Sequence, residues 1–346
     1  MSETSACTLT VLDVVEETAD ARSLILGVPE ELGDRFDYRP GQFLTLRIPG
    51  AEGRGSARCY SLASAPGVDP DLKVTVKRVD GGVGSNWICD NVRPGQTIEV
   101  LPPAGVFTPE RLNGDLLLFA GGSGITPVIS IVKAVLAQPE GTVVLCYANR
   151  DESSVIFSAE LRELAARAPG RLQVIHLLES VQGLPTADAL AALAAPFAGR
   201  DAAFVCGPAP FMEAVAEALG RAGMPKQKIV LERFHSLSGD PFAEREPVPE
   251  ADGDTGAAKL SVTLNGNVHE FRWPAETKLL DLLLARGLKA PYSCGEGNCA
   301  ACSCRVVSGE VKMLVNDILE EEDLEEGWVL GCQSVPVTGE VEISFD

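Results

Sequence analysis

The chain has 346 residues, an apolar fraction of 45% and a formal net charge of −20. This length predicts two or three domains, each large enough to bury a core. The negative charge argues against nucleic acid as a partner, because a polyanion would be repelled. No N-terminal secretion signal and no apolar run near the roughly 18 residues of a membrane span are present, so we expect a soluble, cytoplasmic protein that binds no membrane.

Residues 1–110 have the pattern of short β-strands separated by turns. The stretches CTLTVLDVVEE, ARSLILGV, GQFLTLRI, ARCYSLAS and LKVTVKRV are rich in β-forming residues and bounded by Gly, Pro and Asp. Such a succession predicts a small antiparallel β-barrel.

The sequence pattern of residues 111–235 differs from that of the first 110 residues. Apolar runs such as LLLFAGG, TVVLCYANR and AAFVCG alternate with stretches of helical spacing such as PVISIVKAVLAQ and FSAELRELAARA. Buried parallel strands are typically unbroken apolar runs, and alternation of strand and helix predicts an α/β domain with a parallel sheet.

Residues 236–257 are rich in Pro, Gly and acid, with 6 acidic residues and 1 basic residue, and predict an interdomain linker. The following residues, 258–346, predict a compact unit with a hairpin turning at Asn265 and Gly266, a helix KLLDLLLARG and a last strand EVEISF. This unit carries 15 acidic and 7 basic residues. The acidic surplus either guides a basic protein partner or simply maintains solubility.

The last unit also contains a cysteine-rich loop, YSCGEGNCAACSC. Cys294, Cys299 and Cys302 have the spacing C-x4-C-x2-C, and Cys332 follows after 29 further residues. This is the plant-type ferredoxin spacing for a 2Fe–2S cluster, whose irons are held by soft thiolate ligands. Zinc is the competing metal, but structural zinc sites usually combine two close cysteine pairs. Cys304 lies outside the ligand pattern, and we expect a small buried residue there rather than a ligand.

A 2Fe–2S cluster accepts one electron at a time, whereas a nicotinamide gives two as hydride, so a flavin is expected between them. The segment RCYS resembles the R-x-Y-S motif of the ferredoxin–NADP reductase family. The resemblance implies that Arg58 pairs with the flavin pyrophosphate, Tyr60 lies against the isoalloxazine, and Ser61 hydrogen-bonds near its N5. A guanidinium suits phosphate and a planar phenol suits a ring face.

A second segment, GGVGSNWICD, resembles the G-x-x-S element that precedes a short helix in the same family. Gly82, Val83, Gly84 and Ser85 would offer backbone N–H groups and a hydroxyl to the pyrophosphate at a helix N-terminus. This element favours FAD over FMN.

The nicotinamide site is expected at AGGSGITP, a glycine-rich turn between a buried strand and a helix. Turns of this kind hold a dinucleotide pyrophosphate, although a tight turn with no ligand is the simpler alternative. The candidate residues of this turn are Gly121, Gly122, Gly124 and Thr126.

Two later segments complete the site. CGPAPFM resembles the family element whose cysteine sits close to the nicotinamide C4, which implies that Cys206, with Gly207 and Pro208, positions the ring and that Cys206 is not a nucleophile. At the position of the segment LERF, members of the family have an aromatic residue that covers the flavin and moves aside when the nicotinamide binds. Phe234 is the candidate for this role, with a core phenylalanine as the alternative, and Glu232 is a further candidate site residue.

These motifs follow one another over essentially the whole chain, in the order used by reductase components of multicomponent oxygenases. Within that group the chain is most similar to the reductases of 3-ketosteroid 9α-hydroxylases, on segments such as SNWICD, YANRDESSVIF, LESVQGLP and VNDILEEEDLEEGWVLGCQS. Phenylacetyl-CoA epoxygenase reductases have the same layout. The resemblance implies FAD, a 2Fe–2S cluster and a Rieske-type terminal oxygenase as partner. The alternative from another class is a non-enzymatic ferredoxin-like carrier or redox sensor.

The choice of nicotinamide depends on the residues after TVVLCYAN. Arg150 would suit the 2′-phosphate of NADPH, whereas Asp151 and Glu152 argue against a phosphate. The resemblance implies NADH, and NADPH remains the alternative, together with an epoxygenase partner. The acidic stretch at 320–326 either docks the oxygenase or is a solvated helix face.

Overall fold

The structure, a computed structural model, describes residues 6–49, 56–234, 236–243, 248 and 257–346. Three large sheets and one two-stranded sheet organise these residues, and the large ones follow one another along the chain in the predicted order. Among the described residues, no helix is both long and apolar enough to cross a bilayer.

The first sheet is a six-stranded antiparallel barrel. Its strands are β1 (Cys7–Thr18), β2 (Ala21–Gly27), β3 (Phe43–Ile48), β4 (Ser56–Ser61), β5 (Leu72–Lys77) and β6 (Thr97–Ala104). They pair in the order β4-β3-β6-β1-β2-β5, and a bridge between Leu62 and Val74 connects the two edges. Helix α1 (Val83–Asn91) buries Ile88 in the barrel core. The predicted antiparallel barrel is therefore confirmed.

Alternation along β1 explains how the barrel core forms. Cys7, Leu9 and Val11 are buried, whereas Thr8 and Thr10 between them are exposed. Successive side chains of a strand point to opposite faces, so one face of β1 fills the barrel and the other meets solvent.

The second sheet is parallel and has helices on both faces. Its elements are β7 (Asp115–Gly121), α2 (Ile125–Leu136), β8 (Thr142–Asn149), α3 (Ser158–Arg167), β9 (Leu172–Leu178), α4 (Glu179–Gln182), α5 (Ala187–Ala194), β10 (Ala202–Cys206), α6 (Ala209–Arg221) and β11 (Ile229–Glu232). The order β11-β10-β7-β8-β9 reverses direction at β7. Such a reversal opens a ligand crevice at the carboxyl ends of the strands on either side. Here those ends belong to β7 and β10.

The third sheet has the order β13-β12-β18-β14-β16, in which β12 and β18 are parallel. The unit that contains it is built from β12 (Ala258–Leu264), β13 (Asn267–Trp273), α7 (Leu279–Ala285), β14 (Ser303–Ser308), β15 (Val311–Met313), α8 (Glu321–Glu325), β16 (Trp328–Leu330), β17 (Ser334–Pro336) and β18 (Glu340–Ser344). Strands β15 and β17 pair with each other in a separate two-stranded sheet. Helix α7 packs against the sheet, as in the predicted β-grasp unit.

The hairpin between β12 and β13 turns at the predicted residues. Asn265 and Gly266 have φ angles of 51° and 72°, the left-handed values that a two-residue hairpin turn requires. Most of the predicted linker, at 244–247 and 249–256, lies outside the described residues.

Candidate functional site

A cavity of about 260 Å³ lies where the barrel meets the parallel-sheet domain. All seven predicted flavin residues line it, together with Thr126 of α2 and Phe234 after β11. These seven are Arg58, Tyr60, Ser61, Gly82, Val83, Gly84 and Ser85. The structure thus brings both predicted motifs of the barrel to one cleft.

The N-terminus of α1 is shaped to let an anion approach. A Cβ atom added at Gly84 would lie 3.0 Å from Arg58 Cγ, so a larger residue there would push the Arg58 side chain aside by a few tenths of an ångström. Ser85 Oγ accepts a hydrogen bond from the N–H of Val79 at 3.1 Å, which braces the turn before the helix. A helix N-terminus beside a guanidinium suits a pyrophosphate.

Tyr60 and Ser61 come from the end of β4. Burial raises the pKa of Tyr60 above its ordinary value, so its phenol is neutral and offers a flat apolar face. Ser61 is buried and lies next to Cys59 in the lining of the cleft. A planar, partly polar group such as an isoalloxazine fits this surface.

The predicted nicotinamide turn is packed against the end of β10. A Cβ atom on Gly124 would lie 2.1 Å from the carbonyl oxygen of Cys206, which is shorter than any allowed contact. Likewise, a Cβ atom on Gly121 would meet Pro208 Cδ at 2.9 Å. The turn is therefore glycine-rich because it packs closely against the end of the neighbouring parallel strand β10 and the residues that follow it.

Other groups stabilise the same turn. Thr126 Oγ1 donates to the carbonyl of Ser123 at 3.0 Å, and Tyr147 OH donates to the carbonyl of Gly122 at 3.1 Å. Cys206 is fully buried, and burial raises the pKa of its thiol well above the ordinary value. A neutral thiol is a poor nucleophile, which agrees with a positioning role for Cys206.

Phe234 is 50% exposed, so the alternative of a core phenylalanine is wrong. Its ring stands between the cleft and a second, smaller cavity, and it lines both. Glu232 lines the second cavity, and burial raises the pKa of its carboxyl to about 7.

The second cavity, of about 40 Å³, connects the cleft with the cysteine loop. Cys294 and Cys299 form one side of it, and Cys59 and Ser61 form another. The predicted flavin and cluster sites thus share a wall, although about 230 residues separate their motifs in the sequence.

The four predicted ligand cysteines are buried neighbours. Backbone N–H groups reach three of their sulfurs: that of Glu296 donates to Cys294 Sγ at 3.3 Å, that of Cys294 to Cys299 Sγ at 3.5 Å, and that of Cys332 to Cys302 Sγ at 3.4 Å. Hydrogen bonds from the Cys299 and Cys332 thiols lower the pKa of Cys294. Four adjoining sulfurs with N–H donors fit a 2Fe–2S cluster, because such hydrogen bonds stabilise the charge on its thiolate ligands.

Cys304 lies in the sheet of the same unit. Its side chain is fully buried, its Sγ is 3.8 Å from the carbonyl oxygen of Val329, and burial raises the pKa of the thiol. This matches the expectation of a small buried residue.

Comparison with known families finds three family models that match successive parts of the chain. Residues 8–108 match the oxidoreductase FAD-binding domain, residues 118–217 the oxidoreductase NAD-binding domain, and residues 262–337 the 2Fe-2S iron-sulfur cluster binding domain. FAD, a nicotinamide dinucleotide and a 2Fe–2S cluster are therefore the cofactors, and zinc is not the metal of the cysteine loop.

Relatives match along nearly the full length. The ferredoxin reductase component of the 3-ketosteroid-9-alpha-monooxygenase of Rhodococcus rhodochrous is 58% identical, with 97% of this chain and 96% of the relative covered. Its counterpart in Mycolicibacterium smegmatis is 57% identical, with 98% and 96% covered. The chain belongs to the family of oxygenase reductase components. It is thus an oxidoreductase, and the alternative of a non-enzymatic carrier is wrong.

The more distant comparisons agree with the reductase architecture. One component of the 1,2-phenylacetyl-CoA epoxidase of Escherichia coli is 36% identical, with 98% of this chain and 97% of the relative covered. Among solved structures, phthalate dioxygenase reductase has a TM-score of 0.58 at 22% identity, with 98% of both chains covered, and shares the three-domain fold.

Arg150 of the reductase is not among the residues that line the cleft. It follows β8 directly, and its side chain is 65% exposed and paired with Asp20 of the barrel at 3.0 Å. Asp151 accepts hydrogen bonds from the N–H of Ser154 at 2.9 Å and from the hydroxyl of Ser153 at 2.7 Å, so its carboxylate is engaged by its own turn.

The motifs did not point to the residues that join the domains of the reductase. Thr45 of β3 and Ser293, next to the first ligand cysteine, share a buried 2.6 Å hydrogen bond. Glu296 accepts two hydrogen bonds from Ser238, at 2.8 Å from its N–H and 2.7 Å from its hydroxyl. No local pattern signals such contacts, because their partners are 248 and 58 residues apart.

Proposed function

We propose that this reductase carries electrons from NADH to a Rieske-type terminal oxygenase that hydroxylates 3-ketosteroids. The observation that carries the proposal is the wall shared by the two cavities, because it brings the flavin cleft, the nicotinamide turn and the cysteine loop together. The relatives above 50% identity bear names of 3-ketosteroid-9-alpha-monooxygenase reductases, which supports this partner over an epoxidase.

In the proposal the barrel holds the flavin and the cysteine loop holds the cluster. FAD held in the barrel would supply hydride acceptance and one-electron release, and a 2Fe–2S cluster held by the cysteine loop would supply one-electron transfer. Arg58 and the N–H groups at 82–85 bind the pyrophosphate, and Tyr60 packs on the isoalloxazine. Ser61, buried at the shared wall, donates or accepts a hydrogen bond near N5.

The second half of the cleft receives the nicotinamide. The backbone at 121–124 binds the dinucleotide pyrophosphate at the start of α2, while Cys206, Gly207 and Pro208 bound the space for the nicotinamide ring. Phe234, half-exposed and part of the cleft lining, would cover the flavin and would have to move aside for the dinucleotide. Cys206 stays protonated and helps to position the nicotinamide ring without forming a covalent bond to it.

Two further features of the chain bear on its cellular location and on its coenzyme. Cys59, Cys89, Cys146, Cys206 and Cys304 are free thiols, which is typical of the reducing cytoplasm in which we place the reductase. NADH is favoured over NADPH because Arg150 is already paired with an acid.

The test is an anaerobic visible spectrum of the purified reductase before and after one equivalent of NADH. Prompt bleaching of both flavin and cluster bands is expected. Bleaching by NADPH alone would refute the nicotinamide assignment. For the partner, turnover reconstituted with a steroid oxygenase should exceed turnover with a phenylacetyl-CoA epoxidase, and the reverse order would refute the steroid assignment.

A further inference from the structure

An acid of the barrel reaches into the nucleotide domain. Asp20 lies in the turn between β1 and β2, where its Oδ1 accepts a hydrogen bond from Thr18 Oγ1 at 2.8 Å. This bond orients the carboxylate. Its other oxygen, Oδ2, lies 3.0 Å from Arg150 Nη2 and 3.8 Å from Lys77 Nζ.

The place that Asp20 occupies matters for the coenzyme. In parallel α/β nucleotide domains, the end of the strand after the glycine turn carries the group that contacts the ribose 2′ position. Arg150 is the first residue after that strand, β8. Lys77 points to the same region, because its Nζ is 3.8 Å from where a Cβ atom on Gly122 would lie. Two cations therefore flank the expected course of the dinucleotide.

We propose that Asp20 is a specificity-determining residue that disfavours NADPH. Its carboxylate holds the Arg150 guanidinium and cancels one of the two positive charges that a 2′-phosphate would need. The 2′-hydroxyl of NADH is neutral and loses nothing by this pairing. The inference rests on the proposed preference for NADH and adds the residue that causes it.

The test replaces Asp20 while preserving its turn. Asp20→Asn removes the charge but keeps an oxygen that accepts from the Thr18 hydroxyl. With the flavin- and cluster-loaded reductase, calorimetric titration should show 2′,5′-ADP binding about tenfold more tightly, with 5′-ADP unchanged, because one charge close to a phosphate is only partly screened. The kcat/KM for NADPH should rise by a similar factor.

The matched control is Glu16→Gln. This substitution removes one acid from the preceding strand, β1, where Glu16 pairs with Arg22 at 2.8 Å and not with Arg150. It should leave the affinity for 2′,5′-ADP unchanged. In Asp20→Asn combined with Arg150→Gln, the gain should disappear.

Two outcomes would overturn the inference: equal 2′,5′-ADP affinities for the Asp20 and Glu16 variants, or a gain that survives the loss of Arg150. The proposed function is tested separately by the wild-type protein. A wild-type reductase that uses NADPH as well as NADH would refute the coenzyme assignment, while the comparison of the two variants would still decide the role of Asp20.

Discussion

The hydrogen bond between Thr45 and Ser293 joins the flavin barrel to the cluster loop. Both side chains are buried, their oxygens are 2.6 Å apart, and Ser293 directly precedes the ligand Cys294. We expect Ser293→Ala to loosen the contact between the two sites. The flavin-to-cluster step should then slow, while reduction of the flavin by NADH keeps its rate, because Ser293 lies on the cluster side of the cleft.

The magnitude follows from what the substitution leaves behind. Without Ser293, the Thr45 hydroxyl stays buried with only the weak partner Cys59 Sγ at 3.4 Å. An unsatisfied buried hydroxyl costs about 1–3 kcal/mol of unfolding free energy. Thr45→Val, which removes the other hydroxyl at nearly constant shape, should cost a similar amount. In the double variant neither orphan group remains, so the combined loss should fall short of the sum by about 1 kcal/mol.

The assay is urea unfolding followed by the visible circular dichroism of the cluster, together with stopped-flow absorbance for the flavin and cluster steps. Ser308→Ala, on the exposed part of β14, is the control and should change neither measurement. Additive losses in the double variant, or a slowed flavin reduction in Ser293→Ala, would refute the reasoning.

Four further predictions concern individual residues and helix α8. Cys302→Ser should abolish the visible bands of the cluster, whereas Cys304→Ser should retain them, and loss of the bands in both would contradict the ligand assignment. Gly124→Ala should lower the unfolding free energy by about 1–3 kcal/mol and suppress reduction by NADH but not by dithionite, since its Cβ would overlap the Cys206 carbonyl. Because burial raises the pKa of Glu232 to about 7, its contribution to stability is present below the ordinary carboxyl pKa and lost as pH rises through about 7. In thermal denaturation the wild type should therefore lose about 2–3 kcal/mol of unfolding free energy between pH 5 and 8, and Glu232→Gln should not show this loss. Charge reversal on α8 should slow electron transfer to the oxygenase at low salt, and an unchanged rate would leave α8 as a solvated helix.

Much of the fold could be predicted from the sequence because it depends on the pattern of neighbouring residues. Alternation along β1 predicted a barrel strand, the unbroken apolar run before Gly121 predicted a parallel strand, and the pair Asn265–Gly266 predicted a hairpin turn. Each of these follows from the side-chain period of the element or from the backbone angles of a few consecutive residues.

The cysteine spacing alone predicted the cluster and its four ligands, because a short loop and one later cysteine define a compact ligand set. The position of the cysteine loop beside the flavin cleft, by contrast, depends on the tertiary structure. Ser293 meets Thr45, Phe234 stands half-exposed between two cavities, and Arg150 pairs with Asp20 of another domain. These contacts join residues far apart in the chain, and they depend on how three separately folded units dock against one another, which no local period or spacing encodes.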